Sequence, residues 1–236
     1  MSTIATTNIK EPSSATNNIT LTNGGDTTIS GNATISGNAT ISGTINNLTY
    51  PTADGTAGQV LKTDGSGTLS FASPLTYDTA HTFDNTTNEK TFTGIPSTAK
   101  RITMMVQGVS AASNATEQIL VRVGTSAGLT TSSIYNWNVT YANLSESSQT
   151  TTYWRLAHTN FTDAANVYDG IIQVVKLGTT GNKWVFSAQL GLPAGGQIQN
   201  SAGNIDLGSD VLDRIQLLHG SAINYDAGTV NIMYES

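Results

Sequence analysis

Residues 28–45 read TISGNATISGNATISGTI, with near-identical hexads opening at Thr28, Thr34 and Thr40. The odd positions carry Ile29, Gly31, Ala33, Ile35, Gly37, Ala39, Ile41, Gly43 and Ile45, and the even positions carry only Thr, Ser and Asn. Unbroken period-two alternation is the pattern of an extended strand with one buried face. A helix is disfavoured, because β-branched residues and glycines are poor helix formers. Ordinary strands run about 5–6 residues, and this one keeps its parity far longer, reaching about 60 Å at ~3.3 Å per residue. The neighbouring sequence offers no strand of matching length to cover the Ile row. Copies of the same chain around a symmetry axis would cover it, with Ile29, Ile35, Ile41 and Ile45 on the axis of a thin homotrimeric shaft. A buried Ile contributes about 1.5–3 kcal/mol, so a few per chain suffice to zip it. The same hexads also fit the hexapeptide rule of a left-handed β-helix built from intertwined chains. The two geometries, β-prism and β-helix, both stand at this point.

The chain of 236 residues is long enough for one sizeable core plus appendages. Only 11% of residues are charged, and Thr, Ser, Asn and Gly abound, which favours an all-β fold. The formal charge of −6 leaves no electrostatic footprint for nucleic acid. No cysteine is present, so no disulfide or thiolate metal site arises. The first residues lack the basic and apolar regions of a signal peptide, and no apolar run approaches the ~20 residues of a membrane helix. Sequons such as Asn32-Ala33-Thr34 follow from the Asn- and Thr-rich composition.

In order along the chain, residues 1–27 are polar and irregular, an extended arm with Ile4 and Ile9 as apolar anchors for a partner. Residues 28–48 form the shaft. Residues 49–75 are a turn-rich linker holding a hairpin of strands 59–62 and 68–71 around Thr63-Asp64-Gly65-Ser66-Gly67. Residues 76–236 show short alternating segments, predicted as strands over 89–93, 101–109, 118–123, 133–141, 151–158, 170–177, 183–190, 211–218 and 229–234. That spacing predicts a β-sandwich of jelly-roll type. Its predicted core is Ile102, Met104, Val106, Ile119, Val121, Val123, Trp184, Phe186, Ala188, Leu190, Ile215, Leu217, Val230, Ile232 and Tyr234. Ile171 to Val175 is apolar on both faces, which suits a strand between the core and a subunit interface. Residues 191–203 read as a polar, Gly-rich turn region.

The run YPTADGTAGQVLKTDGSGTLSFA, residues 50–72, resembles a linker module of tail-fibre and related virion proteins of tailed bacteriophages, many from marine and cyanobacterial hosts. The TISGNAT repeats resemble shaft repeats of the same proteins. FTGIPSTAKRITMMVQGVS and LHGSAINYDAGTVNIMYE more loosely resemble their terminal β domain. The resemblance implies a homotrimeric structural protein of the virion, assembled in the bacterial cytoplasm. It is anchored to a tail or capsid protein by the N-terminal arm, with the C-terminal domain distal. The short arm, without a large adaptor domain, keeps a capsid-attached decoration protein open beside the adhesin.

Chemistry beyond this is sparse. Asp163 and Asp169, or Asp206, Asp210 and Asp213, are the carboxylates available for a glycosidase pair, as in a tailspike depolymerase, but loop aspartates ordinarily make turns. His81, His158 and His219 stand isolated, so neither a metal, a cofactor nor an enzyme activity is expected. The binding candidate is the segment with Tyr135, Trp137, Asn138 and Tyr141, near Asn143, Tyr153 and Trp154. Aromatic faces beside amides suit a host surface glycan; the competing role for Trp137 and Trp154 is core or interface packing.

Overall fold

A computed structural model describes residues 34, 35, 37–39, 45–114, 119–132, 134–142, 144–158, 163–178, 180–192 and 197–235. The chain divides into two units, 1–50 and 51–236. In the first, Ile45 and Leu48 pair through reciprocal backbone hydrogen bonds of 3.0 and 2.9 Å across Asn46 and Asn47, both at positive φ. Ile35 and Ile45 are exposed within the single chain. Ile4, Ile9, Ile29 and Ile41, and with them the whole arm, lie outside the described residues.

The second unit is all-β. Its first strands are β1 (Val60–Thr63), β2 (Leu69–Ala72), β3 (Leu75–Tyr77), β4 (His81–Thr82), β5 (Glu89–Thr93) and β6 (Arg101–Ala111). There follow β7 (Leu120–Thr125), β8 (Gly128–Leu129), β9 (Tyr135–Tyr141), β10 (Leu144–Thr151) and β11 (Trp154–Arg155). The last are β12 (Tyr168–Lys176), β13 (Lys183–Leu192), β14 (Gln197–Asp206), β15 (Leu212–Leu218) and β16 (Tyr225–Glu235).

β1 and β2 form the expected hairpin, in register from Val60↔Ala72 to Thr63↔Leu69. Its turn is organised by Asp64, whose carboxylate accepts from the Ser66 and Thr68 amides at 2.7 and 3.0 Å. These bonds favour the ionised carboxylate and hold its pKa below the ordinary value.

The remaining strands make two antiparallel sheets. The nine-stranded sheet runs β10-β9-β14-β13-β12-β6-β16-β3, with β4 also on β16; the five-stranded sheet runs β11-β7-β15-β5, with β8 on β7. The pairings nest: β6 with β16, inside them β7 with β15, then β9 with β14, and innermost β12 with β13. Such nesting is that of a jelly roll. The division between sheets is uneven, however, because β12 also pairs β6 and gathers the β9–β14 and β12–β13 hairpins into one wide sheet. The two sheets face each other across one apolar core. Trp154 of the small sheet stacks on Phe186 of the large one, with centroids 4.5 Å apart and planes at 26°.

The predicted core is buried apart from Tyr234, which is partly covered at its edge. β12 splits by parity, with Ile172 and Val174 inward and Ile171 outward. The structure corrects two sequence expectations. Of the expected turn region 191–203, residues 197–203 instead open a central strand, β14, between β13 and β9. Its inward residues are Gln199, Ser201, Gly203 and Ile205, while Ile198 points to solvent, so the usual hydrophobic alternation is inverted. Gly203 is required by close approach, since a Cβ there would sit 2.0 Å from the Asn136 carbonyl oxygen and 2.5 Å from the Phe186 ring. The segment 151–158 contributes only the two-residue β11, and the strand beside it is 144–151, β10, whose serines and threonines gave no apolar signal.

Candidate functional site

The aromatic segment turns inward. In β9 the residues Tyr135, Trp137 and Val139 face the core, and Asn136, Asn138 and Thr140 face out. Tyr135 is fully buried and Trp137 is 8% exposed. The Tyr135 hydroxyl accepts from the Val123 amide at 3.0 Å and donates toward the Val123 and Thr130 carbonyls, 2.9 and 3.1 Å away. Burial pushes its pKa up to about 12. Trp137 Nε1 donates to Thr151 Oγ1 at 3.1 Å, and the Arg155 guanidinium lies 5.4 Å from the Trp137 ring. Neither ring has a face free to stack on an external sugar, so the expectation that Tyr135 and Trp137 form an aromatic contact surface is corrected; Trp154 is equally buried. The alternation Tyr-Asn-Trp-Asn-Val-Thr-Tyr already separates aromatics from amides on opposite faces of a strand. Of the four candidates, Asn138 stays on the outer face, half-buried, with Nδ2 donating to Ser145 Oγ at 3.3 Å; Tyr141 is half-buried at the strand end.

Beneath β9 and β14 lies a polar cluster within the sandwich. Glu146 of β10 places Oε1 3.5 Å from His158 Nδ1 and Oε2 3.8 Å from Arg155 Nη1. The His158 amide donates to Gln199 Oε1 at 2.6 Å. Arg155, His158, Gln199 and Ser201 are all buried. This set places a part-exposed carboxylate beside the buried Arg155 guanidinium and ties His158, after β11, to β10 and β14 of the large sheet. Removing one partner would strand a buried charge, which is why such groups occur together.

Four of the five carboxylates singled out for glycosidase chemistry make local hydrogen bonds or ion pairs. Asp169 accepts the Gly108 amide at 2.6 Å, Asp163 the Ala165 amide at 2.9 Å and Asp206 the Gly208 amide at 2.9 Å. Asp213 pairs with Arg214 at 2.7 Å. Among the described residues no group of His, Cys, Asp or Glu is arranged to hold a metal ion.

The outer face of the large sheet carries a concave surface that sequence inspection missed. Register aligns Asn138, Ala202, Ser187 and Gln173 in one row across β9, β14, β13 and β12. The adjacent row is Thr140, Asn200, Gln189 and Ile171. The small side chains of Ala202 and Ser187 lower the middle of the first row, and the longer amides of Gln189 and Asn200 stand beside it. The result is a depression of about 450 Å³ that no charged side chain lines. No protein-family description matches this chain, and neither a curated protein nor a solved structure is found to be similar to it.

Proposed function

We propose that the chain is a structural fibre protein of a tailed-bacteriophage virion, a homotrimer held to the tail or capsid by its N-terminal segment. In this proposal the C-terminal sandwich is distal and contacts the host surface. The observation that carries it is the shaft repeat, for whose Ile row the neighbouring sequence offers no strand of matching length and in which Ile35 and Ile45 are exposed, followed by a linker hairpin with the same need. A lone two-stranded hairpin is marginal in water, yet Val60 (49%), Leu61 (46%) and Phe71 (37%) are exposed in β1 and β2. Apolar residues on both faces of a thin ribbon are what neighbouring copies would cover.

The test is the mass of the purified chain in solution by light scattering, together with incorporation into particles. A trimer is expected, and a chain lacking residues 1–20 should remain trimeric but no longer join virions. A stable monomer, or normal incorporation of the truncated chain, would overturn the proposal.

A further inference from the structure

We propose that the depression on the outer face of the large sheet is a binding site for a neutral polysaccharide lying across the strands. This rests on the fibre proposal for its biological setting and on the following geometry for its chemistry. The floor is the row Asn138–Ala202–Ser187–Gln173, flanked by Asn200 and Gln189. From β9 to β12 the row crosses three inter-strand intervals, or about 14 Å at ~4.8 Å per strand. That length accommodates an oligosaccharide of a few sugar units.

The hydrogen-bonding groups are available. Among the described residues, none donates to or accepts from the side chains of Gln173, Ser187, Gln189 or Asn200. Asn138 uses one amide hydrogen on Ser145 and keeps its oxygen. A carboxamide offers donor and acceptor from one planar group, and a hydroxyl does the same, so amides match sugar hydroxyls without needing charge on either side. At the β12 end Ile171, 43% exposed, provides an apolar contact for the C–H face of a ring.

Other occupants fit worse. An anionic glycan or nucleic acid needs Lys or Arg, and none lines the depression of a chain whose formal charge is −6. A second copy of this chain would prefer an aromatic-rich interface centre, whereas no aromatic side chain lines this depression and amides and hydroxyls flank Ala202 at its floor.

The test uses the full chain in native gels cast with neutral polymers of glucose, galactose, mannose and N-acetylglucosamine, with polygalacturonate as the anionic comparison. Retardation by at least one neutral polymer and not by polygalacturonate is expected. The double variant Gln189→Ala/Asn200→Ala should weaken binding about tenfold or more, while Gln107→Ala, exposed on the same sheet outside the depression, should leave it unchanged. Thermal melting of each variant checks folding, and Ala202→Tyr, which fills the floor from an exposed position, should block binding independently. Free passage through every neutral polymer, undiminished retardation of the double variant and of Ala202→Tyr, or retardation by polygalacturonate alone would each overturn the site. Mass and particle incorporation are read on the same preparation. A trimer that joins virions but ignores neutral polymers would sink the site alone, and a retarded monomer would sink the fibre proposal alone.

Discussion

Tyr135 joins the two sheets through its tip. Its ring meets Trp154 edge-on at 5.3 Å, and its hydroxyl satisfies the backbone of β7 at Val123. Tyr135→Phe keeps the ring but leaves the Val123 amide without that acceptor, at a cost of about 1–3 kcal/mol; a urea melt should show the loss with an unchanged m-value. Because the hydroxyl's pKa is pushed up to about 12 by burial, spectroscopic titration of this tyrosine should lag behind the exposed ones. His81 contributes to the acid response. Burial of the imidazole, then the charge of Lys90, holds its pKa below the ordinary 6.5, and among the described residues its buried Nε2 has no hydrogen-bond partner. The unfolded chain therefore takes up the proton first on acidification. The stability His81 contributes is complete above its unfolded pKa and is lost as pH falls from there through the depressed folded value. His81→Gln should flatten the pH dependence of the melting temperature in that window; an unaltered slope would show that other groups govern it.

At the scale of elements, β14 is the strand on which the wide sheet depends. It pairs β13 over its whole length and β9 on the other side, so its loss would separate β9 and β10 from the rest. Gly203 allows that pairing, because any side chain would meet the Asn136 carbonyl and the Phe186 ring. Gly203→Ala should cost about 3 kcal/mol or more through overpacking, with protection of β9 and β10 amides lost first in hydrogen exchange. A variant as stable as the parent would mean that β9 shifts to make room. The β6–β16 ladder contains a second close approach: Gly228, at φ +93°, packs on Gly108 where the register shifts, and Asp169 accepts the Gly108 amide. This bulge bends the sheet locally and is fastened by Ser110 and Asp226, whose oxygens are 2.5 Å apart.

For the whole molecule, the sandwich carries its own core, while the described residues of the repeat are exposed. The two should therefore fail separately. Ile35, 63% exposed in the single chain, would be axial in the proposed trimer, and Ile35→Asp would gather carboxylates where apolar contacts are needed. The expected outcome is rapid proteolysis across residues 28–45 with the melting temperature of the sandwich unchanged. Undiminished protease resistance of the repeats would remove Ile35 from the axis.

Period-two alternation alone determined that the unit of residues 51–236 is all-β and which residues of β6, β7, β13, β15 and β16 share the inner face, because strand geometry fixes side-chain direction to a period of two. The hairpin of β1 and β2 was legible for a similar reason, since Asp64, Gly65 and Gly67 write its turn into local chemistry. Tertiary structure decided the rest. β14 was hidden because its inward residues include Gln199, Ser201 and Gly203, of which Gln199 accepts from the His158 amide and Gly203 meets the close backbone of β9, so no hydrophobic pattern marks them. The direction of Tyr135 and Trp137 depended on which face of β9 meets the second sheet. The depression depended on register, which set Ala202 beside Ser187 from residues far apart in sequence and left the amides around them facing water.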